Sequence, residues 1–135
     1  MTFTAPEREY LRSQRLGRLA TVDADGQPQN NPVAYKVNDD GTVDIGGWSM
    51  GATRKYRNVQ AHDRVALVVD DIVSTDPWTV RGVEIRGTAE ALVDAEPPLP
   101  GMSGDIIRVH PGRIIAWGVD PEAPGMVGRT VAPGA

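Results

Sequence analysis

The chain has 135 residues, a formal net charge of −4, a pI near 5.1 and no cysteine. That length suits one domain with a core of its own. The missing cysteines exclude disulfides, thiolate metal sites and a cysteine nucleophile, the two histidines exclude a histidine-rich metal centre, and the acidic balance argues against nucleic acid as a main partner.

Thr4-Ala-Pro-Glu7 has the form of a capping box and predicts a short helix from Ala5 to about Gln14, with Tyr10 and Leu11 buried. Leu16 to Val22 reads as a strand, Asp23 to Gly26 as a hairpin turn, and Pro28 to Val37 as a second strand. Pro32 cannot donate to a ladder, so its N side must meet an edge, a bulge or a ligand. Asn38 to Gly41 is a second hairpin signal, and Thr42 to Gly47 is strand three. Ala52 to Ala61 predicts a second helix with Tyr56 and Val59 on one face. Arg64 to Asp71 is an apolar strand expected to be buried on both faces. After a loop at Asp76-Pro77 comes a long strand, Thr79 to Leu92, in which Gly82 and Gly87 suggest bulges or bends. Pro97 to Gly101 is a loop, and Asp105 to His110 with Arg113 to Val119 supplies the last strand or strands. The division expected is a barrel domain over 1–120 and a Pro/Gly-rich tail over 121–135. The whole is a mainly β fold, a six- to seven-stranded antiparallel sheet closed into a small barrel with two short helices. No run is apolar enough to span a membrane and the N-terminus is polar, so a soluble cytoplasmic protein is expected.

The segment Trp48 to Asn58 concentrates the chemistry. A strand end passes through Ser49 and Gly51 into a helix whose first turns hold Thr53, Arg54, Lys55, Arg57 and Asn58. Backbone N–H groups at a helix start, a hydroxyl and cations make a phosphate site; the same residues would also serve as a solvated helix face. Gln29-Asn30-Asn31-Pro32 serves a sheet poorly, which favours a ligand contact there. Asp70-Asp71 is read as turn-forming rather than metal-binding, His62 as structural at a helix C-terminus, and His110 as structural or cofactor-adjacent.

The order of these elements resembles the flavin-binding split β-barrel superfamily, the pyridoxamine 5′-phosphate oxidase-like proteins. The resemblance rests on Leu19 to Gly26 with Pro28, Thr53-Arg54-Lys55 with Asn58-Val59, Asp63 to Val69, Ile85 to Glu90, and His110 to Trp117. Short acidic chains of this kind resemble the actinobacterial branch that uses the deazaflavin coenzyme F420 in place of FMN. The resemblance implies a homodimer with the cofactor in a groove between subunits. It implies that Thr53, Arg54 and Lys55 hold the cofactor phosphate, with Asn58 of the same motif also among the cofactor-binding residues. Gln29, Asn30, Asn31, Pro32 and Val33 would line the ring, Trp48 and Ser49 the ribityl chain, and Trp117 would stand near the cofactor. Arg12, Arg15, Arg18 and Arg57 are the cations available to a polyglutamate tail. The short stretch between Glu90 and Asp105 argues against pyridoxamine phosphate as substrate.

The activity implied is a deazaflavin-dependent oxidoreductase passing a hydride to a small unsaturated or quinone-like substrate, with no metal and no assigned catalytic side chain. The alternatives are an FMN-dependent oxidoreductase and a non-catalytic protein that binds a flavin, deazaflavin or haem-related ligand. The cofactor carries the hydride, so no catalytic dyad is required of the chain.

Overall fold

In the computed structural model, which describes residues 2–131, the first helix starts where its capping box predicts. Glu7 N–H donates to Thr4 Oγ1 (3.3 Å) and Thr4 N–H to Glu7 Oε1 (2.9 Å). The helix α1 (Ala5–Ser13) buries Glu7, Tyr10 and Leu11. Strands β1 (Leu16–Val22), β2 (Pro28–Val37) and β3 (Val43–Gly46) follow through the two expected hairpins. Gly26 and Gly41 take the positive φ those turns require. A 3-10 turn at Met50–Ala52 leads into α2 (Arg54–Ala61). Then come β4 (Arg64–Thr75), β5 (Trp78–Leu92), β6 (Ile106–Trp117) and β7 (Met126–Thr130).

Every pairing is antiparallel, in the order β3-β2-β1-β4-β5-β6-β7, and a further β3–β6 pairing closes the first six strands into a ring. β5 lies along one edge of β6. The other edge is shared, with β3 against Ile107 to Val109 and β7 against Arg113 to Trp117. The interior is filled by Leu19, Val43, Ile45, Leu67, Val69, Val83, Ile85, Ile107, Val109 and Ile114.

The two helices close opposite ends. Helix α1 accepts from Tyr35 Oη at Leu11 O (2.6 Å) and reaches β5 through Tyr10 and Arg81. Helix α2 meets the same strands at their other ends, through Asn58 to Gln29 and Tyr56 Oη to Leu92 O (2.9 Å). Charge pairs fix α1 in place. Tyr10 Oη donates to Asp71 (2.7 Å), Arg81 grips the same carboxylate at 2.9 and 3.2 Å, and its guanidinium lies 5.0 Å from the Tyr10 ring. Burial, then the Asp71 carboxylate, push the Tyr10 hydroxyl pKa far up.

The structure corrects several expectations. β4 is not buried on both faces: Val65, Leu67 and Val69 point inward, while Ala66 and Val68 are half-buried on the outer face. An all-apolar run carries no alternation from which to read that phase. Asp70 and Asp71 form no turn; they lie within β4 and pair with Arg18 and Arg81. Gly87 does mark a register shift, opposite Pro111, but Gly82 does not. Gly82 is a close approach instead: an added Cβ would lie 2.5 Å from Trp117 Cζ2. β6 is one continuous strand. The segment 121–135, expected as a tail, contributes β7; residues 132–135 of it lie outside the described residues. No helix among the described residues is long and apolar enough to cross a membrane.

Candidate cofactor site

The start of α2 is built by Thr53. Its Oγ1 donates to Met50 O (2.7 Å) and accepts from Tyr56 N–H (3.4 Å), so the hydroxyl caps the helix from just outside its first turn. Tyr56, Val59 and Asn58 point into the barrel end. The buried Asn58 amide donates to Thr21 Oγ1 (3.0 Å) and Gln29 Oε1 (2.8 Å), locking α2 against β1 and β2. Gln29 is held from its other side by Asp23, at 3.3 Å.

This packing leaves Arg54 and Lys55 facing Gln29, Asn30 and Asn31 across an open groove of about 480 Å³. Its lining contains no carboxylate. Among the described residues neither Arg54 nor Lys55 has an ion-pair or hydrogen-bond partner for its side chain, and the first turn of α2 holds no acidic residue. Two cations at the positive end of a helix dipole oppose it. An anion in the groove would relieve both and meet the free N–H groups of the turn.

The opposite wall is an unpaired edge. On β2, β3 pairs only with Ala34 to Val37, so among the described residues Pro28 to Val33 have β1 on one side and no strand on the other. Pro32 sits in that stretch, where its missing N–H leaves no gap in a ladder. Val33 is buried with its side chain inward, so it offers the groove only backbone.

Of the remaining expected site residues, Trp48 and Ser49 lie exposed between β3 and the 3-10 turn. Trp117 does not join them. It pairs with Gly82 at the α1 end and borders a separate cavity of about 90 Å³ with Glu7 and Arg129. Gly82 and Leu92, where α2 docks, are about 30 Å apart along β5 at roughly 3.3 Å per residue. The expected cations for a tail are mostly engaged: Arg12 with Asp39, Arg18 with Asp70, and Arg57 with Ala52 O. His62 is the C-cap of α2, and its Nδ1 accepts from Arg64 N–H. His110 pairs with Glu90 at 2.5 Å on the outer surface.

Sequence reasoning missed the supports from residues 93–105. Ser103 Oγ accepts from Met50 N–H (3.3 Å) and donates to Gly47 O (3.1 Å), while Asp105 lies where a Cβ on Gly51 would meet its Oδ2 at 2.3 Å. Gly46, packed under Pro98 and Met102, and Gly51, packed against Asp105, were the available signal. Among the described residues no group of three or more His, Asp or Glu side chains is arranged to hold a metal ion.

Residues 3–129 match the model of the pyridoxamine 5′-phosphate oxidase family. The chain is 48% identical over 122 residues to the 5a,11a-dehydrotetracycline/5a,11a-dehydrooxytetracycline reductase of Streptomyces rimosus subsp. rimosus, covering 89% of this chain and 86% of that one. Among solved structures, a conserved hypothetical protein from Mycobacterium tuberculosis superposes with a TM-score of 0.70 at 25% identity, covering 94% of this chain and 92% of that one. A protein described as an F420 reductase superposes with a TM-score of 0.57 at 25% identity, covering 74% of this chain and 88% of that one. The seven-stranded antiparallel barrel with two helices and the family match over nearly its whole length agree: the chain belongs to the pyridoxamine 5′-phosphate oxidase family and is an oxidoreductase of the split-barrel type.

Proposed function

We propose that the groove between α2 and β2 holds the phosphorylated end of a deazaflavin, coenzyme F420, and that the protein saturates an activated carbon–carbon double bond of a ring substrate. The carrying observation is the pair of unpartnered cations, Arg54 and Lys55, at the N-terminus of α2 opposite the bare edge of β2. The similarity to a reductase whose named substrates are dehydro compounds, lacking hydrogen at two ring positions, supports the reaction class. The neighbour named an F420 reductase supports deazaflavin over FMN.

The deazaflavin, when bound, supplies the hydride. The chain's residues bind and orient. Arg54 and Lys55 would take the phosphate by charge-assisted contacts, with α2 aligned to add its N–H groups. Asn58 holds Gln29 at one end of the β2 edge, and the free backbone groups of Asn30 to Val33 would face the polar rim of the ring. The groove's carboxylate-free lining leaves the phosphate unopposed. We further infer a homodimer, supported by apolar side chains left on the outer face of β1 and β4: Leu16 is 59% and Ile72 53% exposed on one side of the Arg18–Asp70 ion pair, and Ala66 and Val68 are half-covered on the other.

The test is titration of the purified protein with F420 and with FMN, followed by absorbance. Arg54→Ala and Lys55→Ala should each weaken F420 binding by about tenfold to a hundredfold, as loss of one charge-assisted contact implies. F420 should bind more tightly than FMN at low salt, and the gap should narrow as salt rises. Wild-type affinity in both variants would move the site elsewhere; tighter FMN binding at every salt concentration would return the protein to the flavin branch.

A further inference from the structure

We infer that Trp48 is the recognition platform for the substrate, and that its indole stacks on a planar fused-ring compound beside the cofactor groove. The inference rests on the reductase reading of that same groove and names which side chain meets the second reactant. Trp48 is 71% exposed. Tryptophan is highly buried on average, so an indole held out in water at a fixed place calls for a reason.

Its place is fixed from several sides. Upstream, Gly46 lies under Pro98, where an added Cβ would fall 2.6 Å from the proline ring. Gly47 O accepts both the N–H (3.0 Å) and the hydroxyl (3.1 Å) of Ser103. Downstream, Met50 is fully buried and its N–H donates to the same Ser103 hydroxyl. The ring edge rests on Gly101, which has a φ of +88°; a Cβ there would stand 3.1 Å from Trp48 Cζ3. The loop residues that make these contacts form no part of the groove lining. They serve to hold Trp48 and its neighbours.

Its position suits the substrate better than the cofactor's side chain. β3 ends at Gly46, paired with Ala34, the residue next to the bare edge of β2, and the chain passes through Trp48 and the 3-10 turn before reaching Arg54. The groove residues already supply cations for a phosphate and backbone for a polar rim. The indole face offers neither; it offers a wide apolar π surface with no ion pair on it. The relative that is 48% identical is named for substrates of four fused rings, the size of flat partner such a surface fits.

The test is calorimetric titration with tetracycline as the probe, on wild type, Trp48→Ala and Trp48→Phe, with F420 titrated in parallel. Trp48→Ala should weaken tetracycline binding by about tenfold, and Trp48→Phe should recover most of it, as stacking plus lost area implies. F420 affinity should stay within about twofold of wild type, because Trp48 makes none of the charge-assisted contacts. Equal loss of F420 and tetracycline affinity would assign Trp48 to the cofactor. Wild-type tetracycline binding in Trp48→Ala, or no tetracycline binding by the wild type, would overturn the platform. If wild type and both variants behave as expected but reduced F420 is not consumed with dehydrotetracycline, the platform stands and the reductase reading falls.

Discussion

The pairing of Glu7 with Arg129 joins the first helix to the last strand and lends itself to a quantitative test. Arg129 donates to both carboxylate oxygens of Glu7, at 2.6 and 2.7 Å, and to Thr2 O at 2.7 Å. The burial is unequal: the Glu7 side chain is 5% exposed and that of Arg129 33%. Arg129→Met therefore strands a carboxylate in the interior, whereas Glu7→Gln leaves a guanidinium that can reach water and an amide that still accepts. Breaking a buried pair costs about 3–5 kcal/mol when the remaining charge is trapped, and a charge-assisted bond is worth about 1.5–3 kcal/mol. Arg129→Met should lose about 3 kcal/mol and Glu7→Gln about 2 kcal/mol, against a total near 5–15 kcal/mol for a domain of this kind. Urea unfolding at neutral pH measures both, and Arg129→Met should also melt about 10 °C lower. Burial alone would raise the Glu7 pKa, but the Arg129 guanidinium and the Thr4 N–H outweigh it and hold the pKa below its ordinary 4.5. The wild type's advantage is thus full above pH 4.5 and fades as pH falls through the depressed value. Losses under about 1 kcal/mol in both variants, or a larger loss in Glu7→Gln, would refute the reasoning from unequal burial.

Asn58→Ala removes the buried amide between α2, Thr21 and Gln29, and should cost about 1–3 kcal/mol by urea unfolding while weakening F420 binding through a loosened Gln29; unchanged affinity would show that Gln29 needs no anchor. Sedimentation at micromolar concentration should give twice the 14.5 kDa chain mass, and a single species of chain mass would remove the homodimer.

Where the chain's signals are local, the sequence was readable. The Thr4–Glu7 box and the Asp23–Gly26 and Asn38–Gly41 turns each follow from side-chain chemistry within four residues, and each is where it was expected; α2 begins at Arg54 rather than Ala52, because Met50–Ala52 close a 3-10 turn and Thr53 is the cap. Asn30-Asn31 and Arg54-Lys55 each stood out on local grounds, but that they face each other across one groove was not legible, since it depends on how α2 docks on β1 and β2. Long-range choices were not. Which face of Val65 to Val69 turns inward depends on the β1 and β5 registers. Met126 to Thr130 is a strand because Arg113 to Trp117 lack a partner there, which no property of five residues announces. Trp117 was expected near the cofactor by resemblance alone, and its register against Gly82 puts it at the α1 end of its own barrel, away from the groove.

Strand β3 is only four residues long, Val43–Gly46, and that brevity shapes both of its flanks. On one side it abandons β2 at Ala34 and leaves the bare edge that faces the groove. On the other it abandons β6 at Val109, so the wall there is completed by the far end of the chain. An opening for a ligand and a berth for the C-terminal strand are two outcomes of one length. In engineering terms, β3 is the dimension that sets how wide this barrel stands open, and Gly46-Gly47 is the point at which the chain leaves the wall so that the gap remains.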